Sequence, residues 1–126
     1  MIKLILLNFK YLKLFSYSSC STCRRAIKWL NSNDIAFELI DILNTPPSKE
    51  MLISASEQYG DRKYLLNTSG LIYRSIGSKI VKGMSDNELF EKLVIEPRLI
   101  KRPFLFKSDK CFLVGFKEEK WAETLL

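Results

Sequence analysis

The chain contains no histidine, and that one absence removes Ser-His and Cys-His catalysis together with every histidine-ligated metal site. Its three cysteines are too few for a four-cysteine zinc site within one chain. Long apolar runs are missing as well. Met1-Ile-Lys-Leu-Ile-Leu-Leu7 is followed closely by Lys10 and Lys13, too short to cross a bilayer and without the small-residue cleavage site of an export signal. The expectation is therefore a cytoplasmic protein with no membrane span, where a disulfide is more often transient and catalytic than structural; an odd cysteine count fits that. No internal repeat, low-complexity stretch or interdomain linker stands out. The 126 residues are expected to form one domain, 1–126, burying roughly two thirds of the surface its unfolded chain exposes. Residues 1–10 read as a non-core N-terminal extension, either an added strand or the product of a start codon assigned too early.

The net charge of +6 raises the question of nucleic acid, but the distribution argues against a dedicated site. Arg24, Arg25 and Lys28 cluster and Lys101 and Arg102 form a second pair, yet no long basic run or nucleic-acid motif accompanies them. A solvated basic surface with an anion site is expected rather than direct nucleic-acid binding.

What is present is Cys20-Ser21-Thr22-Cys23, two thiols three residues apart. Upstream, Tyr11-Leu-Lys-Leu-Phe-Ser-Tyr17 is an apolar, aromatic-rich run of the kind that makes a buried strand; downstream, Arg24 to Asn33 carries Ala26, Ile27 and Leu30 at helical spacing. The motif thus sits on a strand-to-helix turn. Ala36 to Ile42 reads as a second strand, completing a unit of the β-α-β size. Thr45-Pro46-Pro47 breaks the chain, and Ser48 caps a helix through Met51, Leu52, Ala55 and Tyr59 that stops at Gly60. Short helices around a turn are expected from Asp61 to Met84. Ser85 and Glu88 have the capping-box spacing ahead of a helix ending near Pro97. Phe104–Phe106 and Cys111–Val114 form an antiparallel hairpin, and Lys117 to Leu126 closes the chain as a helix. The order β-α-β, helices, β-β-α predicts an α/β thioredoxin-like fold: a mixed four-stranded sheet with a helical insertion between its halves.

A Cys-x-x-Cys in that setting reads as redox-active. At a helix start the Cys20 sulfur faces unpaired backbone N–H groups and the positive end of the helix dipole, both of which favour a thiolate. Three residues along a helix bring two Cα atoms to about 5 to 6 Å, within disulfide reach. Cys20 is expected to attack a substrate and Cys23 to resolve the mixed species. The competing reading, two small apolar residues near a helix terminus, does not need the strand-turn-helix context. Cys111 lies in an apolar strand and is expected to be a buried hydrophobe outside the disulfide. Arg102-Pro103 is the other candidate, because a proline entering a strand of this fold can hold a cis bond facing the cysteine turn or be an ordinary strand-entry proline without a functional role, while Arg102 can present a planar cation to a thiolate, a glutathione carboxylate or an oxyanion. Arg24 and Arg25 either do the same or point to water.

Tyr17-Ser-Ser-Cys-Ser-Thr-Cys-Arg-Arg25, Asn67-Thr-Ser-Gly-Leu-Ile-Tyr-Arg74, Leu99-Ile-Lys-Arg-Pro-Phe104 and Val114-Gly-Phe-Lys-Glu-Glu119 together resemble the arsenate reductase (glutaredoxin-dependent type) and Spx family, in its order and from about residue 11 onward. The resemblance implies a thioredoxin-like fold, a nucleophile at Cys20 and a cis-proline at Pro103. It implies three functions: a thiol-disulfide reductase served by glutathione or a glutaredoxin, with no bound cofactor; a redox-switch regulator that binds RNA polymerase; or a true arsenate reductase. The arsenate-reducing pattern surrounds its cysteine with arginines. Arg102 matches one, but Asn67 and Gly115 stand where two others are expected, and Cys23 resembles the Spx-like branch instead.

Overall fold

The computed structural model describes residues 11–108 and 110–126, so the expectation for residues 1–10 lies outside the described residues. The chain divides into two compact units, one running to Asp41 and resuming at Arg102–Leu126, the other Ile42–Lys101.

The first unit holds a four-stranded sheet: β1 (Leu12–Ser16), β2 (Glu38–Asp41), β3 (Phe104–Lys107) and β4 (Cys111–Val114), in the order β2-β1-β3-β4. β1 and β2 are parallel, whereas β1 with β3 and β3 with β4 are antiparallel. Helices α1 (Ser21–Ser32) and, at the C-terminus, α6 (Glu118–Leu125) belong to the same unit. Because side chains alternate along a strand, Leu12, Leu14, Leu105 and Leu113 share one sheet face, where they pack with Ala26 and Leu30 of α1 and Trp121 of α6. The residues of opposite parity, Phe15, Phe104 and Phe112, form an aromatic run, Phe15 edge-on to Phe104 at 5.9 Å between centroids and Phe104 tilted against Phe112 at 5.6 Å. Both faces of β1 are therefore apolar, as expected of a central strand.

The second unit is helical: α2 (Lys49–Tyr59), a 3-10 turn (Arg62–Leu65), α3 (Leu71–Ile76), α4 (Ser78–Gly83), α5 (Asp86–Ile95) and a second 3-10 turn (Pro97–Leu99). Ser48 caps α2 through Met51 N–H, and Gly60 ends it at φ 81°. Arg62 ties the short helices to α5, reaching the Met84 carbonyl at 2.7 Å and Asp86 at 2.8 Å. Within this unit Leu66 bridges Ile100, and Asn67 N–H donates to the Leu99 carbonyl at 2.8 Å.

The predicted order of elements is observed, with one boundary difference. α1 begins at Ser21 with Cys20 as its N-cap, the helix start expected of Cys20. β2 covers 38–41 rather than 36–42, because the parallel ladder runs only where Lys13 to Ser16 supply partners. One expectation is corrected: Cys111 is half-buried rather than buried. It opens β4, the last strand of the sheet among the described residues, opposite Lys107, where part of its side chain stays accessible.

The α5 capping box is complete, Ser85 Oγ accepting Glu88 N–H at 3.1 Å and Glu88 Oε1 accepting Ser85 N–H at 3.1 Å; this bond to the backbone and the Ser85 side chain hold the Glu88 carboxyl below its ordinary range. Ser85→Ala is expected to lower stability by about 1 kcal/mol, read as a shifted urea midpoint at unchanged slope. An unshifted midpoint would show that the box contributes nothing.

Candidate active site

The site begins where β1 ends. Cys20 N–H donates to the Tyr17 carbonyl at 3.0 Å, folding Tyr17–Cys20 into a turn, and Arg24 Nη1 donates to the Ser18 carbonyl at 2.8 Å from the first part of α1. With the turn held at both ends, Cys20 falls at the N-cap, and its Sγ accepts Cys23 N–H at 3.2 Å. A sulfur does here what a serine or aspartate oxygen does at other helix starts.

The two thiols stand in different surroundings. Cys20 is half-exposed, whereas Cys23 is fully buried. Burial, and secondarily the hydrogen bond with Cys20, push the Cys23 thiol up from 9.0 to about 11; hydrogen bonds with the Tyr17 backbone and the Ser16 side chain pull the other way without reversing this. Cys23 is therefore protonated at neutral pH, and Cys20 is the more accessible of the two sulfurs.

Arg102 and Pro103 reach the same turn from the other side of the sheet's central pair. The Arg102–Pro103 bond is cis, Pro103 is buried, and the Arg102 guanidinium lies over the Tyr17 ring, 5.2 Å from its centroid, within cation–π range. The Pro103 carbonyl accepts Gly115 N–H at 2.8 Å, and the Gly115 carbonyl accepts the Trp121 indole N–H at 3.0 Å. Gly115 has φ 76°, a conformation that costs a residue with a side chain about 1 to 2 kcal/mol. This is a structural reason for glycine at a position where the arsenate-reducing pattern expects arginine. Asn67, where that pattern expects another, lies in the helical unit. Its Nδ2 donates to the Arg98 carbonyl at 3.4 Å and its Oδ1 accepts the Ser69 hydroxyl at 3.3 Å. Arg24 and Arg25 are exposed. Arg24 is engaged by Ser18, and Arg25 lies 6.0 Å from the Phe116 ring centroid.

Two residues that bear on the chemistry, Ser16 and Tyr17, were not singled out by the sequence. Ser16 is buried and touches the Cys23 sulfur; Tyr17 supplies both a turn carbonyl and the ring under Arg102. The alternation of β1 could have suggested Ser16, since a polar residue at the inner end of an apolar strand needs a partner.

A half-exposed cysteine capping the helix after β1, a buried second cysteine three residues on, and a cis-proline leading into β3 define a thioredoxin-like domain. The ArsC family model matches residues 15–124, and the chain belongs to that family. It is 40% identical over 115 residues to the uncharacterized protein YusI of Bacillus subtilis, covering 90% of this chain and 97% of YusI. It is 28% identical over 108 residues to the global transcriptional regulator Spx of Streptococcus agalactiae, covering 85% of this chain and 77% of Spx. Among solved structures, an ArsC family related protein from Bacteroides fragilis superposes with a TM-score of 0.82 at 33% identity, covering 92% of this chain and 98% of its own. The arsenate reductase from Vibrio cholerae does so with 0.77 at 25% identity, covering 90% and 97%.

The raised Cys23 thiol gives two linked expectations. Alkylation at pH 7 should modify Cys20 first, with Cys23 becoming reactive only as pH approaches 11. Because the folded state holds this proton more tightly than the unfolded chain, the associated stability is complete below about pH 9 and lost as pH rises through 11, on the order of 3 kcal/mol. Cys23→Ala should lack that part of the alkaline slope. Equal alkylation of Cys20 and Cys23 at pH 7, mapped by mass spectrometry, would reverse their assigned roles.

Proposed function

We propose that this protein is a thiol-disulfide redox protein of the cytoplasm in which Cys20 is the nucleophile and Cys23 the resolving thiol, with glutathione or a glutaredoxin as reductant. The observation that carries the reading is the asymmetry of the pair: an accessible sulfur at a helix N-cap and a buried, protonated one hydrogen-bonded to it. Cys20 attacks one sulfur of a substrate disulfide, the substrate S–S bond breaks, and the other sulfur leaves as a thiolate that takes a proton. Cys23 then gives up its proton and attacks the Cys20 sulfur, releasing the second substrate thiol and leaving a Cys20–Cys23 disulfide. Substrate gains two electrons, and two equivalents of external thiol return them to the protein. Arg102, beside Tyr17, supplies a fixed cation near this turn for an anionic part of the substrate.

A second reading is favoured by the name of the S. agalactiae relative, a transcriptional regulator. The same cysteine pair would then act as a switch, its oxidation changing how the protein binds RNA polymerase. That reading requires a stoichiometric complex with polymerase that responds to oxidant, whereas the reductase reading requires turnover.

Arsenate reduction is the third reading, and the geometry speaks against efficient catalysis. A dianionic oxyanion beside a thiolate needs positioned cations, each charge-assisted hydrogen bond contributing about 1.5 to 3 kcal/mol. Without arginines at Asn67 and Gly115, the loss is on the order of 3 to 6 kcal/mol, or about two to four decades of activity. With glutathione and glutaredoxin supplied, the purified protein is expected to reduce a model disulfide and to lose that activity in Cys20→Ser, with arsenate turnover weak or absent. Oxidation by diamide is expected to link Cys20 to Cys23 and leave Cys111 free. Glutathione-dependent arsenate turnover abolished by Cys20→Ser, at a rate comparable with disulfide reduction, would overturn this assignment.

A further inference from the structure

Beside the redox turn lies a cavity of about 330 Å³ that the steps above do not use. Ser16, Tyr17, Ile40 and Asp41 place it at the carboxyl ends of β1 and β2, the parallel pair of the sheet, and in open α/β sheets ligands bind outside the carboxyl ends of parallel strands. Its helix wall is Arg24 and Ile27. Counted from the N-cap, Cys20, Arg24 and Ile27 stand at i, i+4 and i+7, one stripe of a helix, while Cys23, Ala26 and Leu30 form the buried stripe beside it. The nucleophile and the cavity therefore lie along the same face of α1, and seven residues of helix rise about 10 Å.

The lining is chiefly apolar. Ile27, Ile40 and Leu39 supply it, and Leu39 is 58% exposed, a large aliphatic side chain left to water on a strand that ends the sheet among the described residues. Arg24 and Asp41 add one charge of each sign. A stretch of about 10 Å equals about three residues of extended chain. A polypeptide with its cysteine at Cys20 can thus set the side chain three positions away against Ile27, one wall of this cavity.

We propose that the cavity is a specificity site for a protein disulfide substrate and takes an apolar side chain about three residues from the attacked cysteine. This rests on the thiol-disulfide reading above and names its substrate class: a polypeptide rather than a small thiol. The chemical step is unchanged. Cys20 bonds to the peptide sulfur, the bond between that sulfur and its former partner breaks, and the partner leaves as a thiolate.

The test uses cysteine peptides joined in mixed disulfides to thionitrobenzoate, whose release is followed by absorbance, with leucine, glycine or aspartate three positions from the cysteine. The wild-type protein is expected to react about tenfold faster with the leucine peptide than with the other two, the ratio falling to near unity in Leu39→Asp. Equal rates for all three peptides, with hydroxyethyl disulfide still reduced, would overturn the cavity assignment and leave the redox reading intact. No reaction with either peptides or hydroxyethyl disulfide would remove both. Preference for the glutathione mixed disulfide, lost in Asp41→Asn, would overturn the proposal by assigning the cavity to the zwitterionic head of a small thiol.

Discussion

The hydrogen bond from Cys23 N–H to Cys20 Sγ, 3.2 Å long, is the contact on which the rest of the site depends. It makes a cysteine the cap of α1, so the start of the helix and the position of the accessible thiol are one structural fact. Every neighbouring interaction fixes the same point. The Tyr17 carbonyl closes the turn, Arg24 holds the Ser18 carbonyl, and the stripe of Cys23, Ala26 and Leu30 anchors the helix on the sheet. Burial then separates the chemistry of two identical side chains. One remains accessible; the other is kept protonated by a dry environment.

The same economy is visible at the entrance to β3. The Pro103 carbonyl, Gly115 N–H, Gly115 carbonyl and Trp121 indole form a short relay of hydrogen bonds from the proline segment to α6. Trp121 is buried among the residues that support α1, so the segment bearing Arg102 and the helix bearing Cys20 are held by one core. Gly115 serves this relay through a left-handed backbone conformation, which explains its presence better than the loss of an arginine does.

The features legible in the sequence were those with short-range causes. Hydrophobic spacing marked α1, the Ser85 and Glu88 pair marked α5, and Ser48 with Gly60 marked both ends of α2; the four ordered motifs added the family and the cis-proline. What escaped notice depended on partners distant in the chain. Tyr17 becomes a site residue only because Arg102, far away in sequence, is laid over its ring. Ser16 matters because the Cys23 sulfur points back to the strand. Cys111 looked like a core residue because its neighbours are apolar, but sheet order, not composition, placed it on the last strand among the described residues. The sense in which Arg24 would point was likewise open until the Ser18 carbonyl claimed it.

The central claim is the division of labour between Cys20 and Cys23, and intact-mass trapping tests it most directly. Single Cys20→Ser and Cys23→Ser proteins are each mixed with a slight excess of a reactive disulfide at pH 7, and the modified residue is located by peptide mapping. The account predicts a stable mixed disulfide on Cys20 in Cys23→Ser and little or no adduct on Cys23 in Cys20→Ser, since burial, the chief cause that pushes the Cys23 thiol up, does not depend on Cys20 and a buried thiol offers few thiolates at that pH. Rapid adduct formation on Cys23 when Cys20 is absent, or an adduct on Cys111 rather than Cys20 when Cys23 is absent, would contradict it.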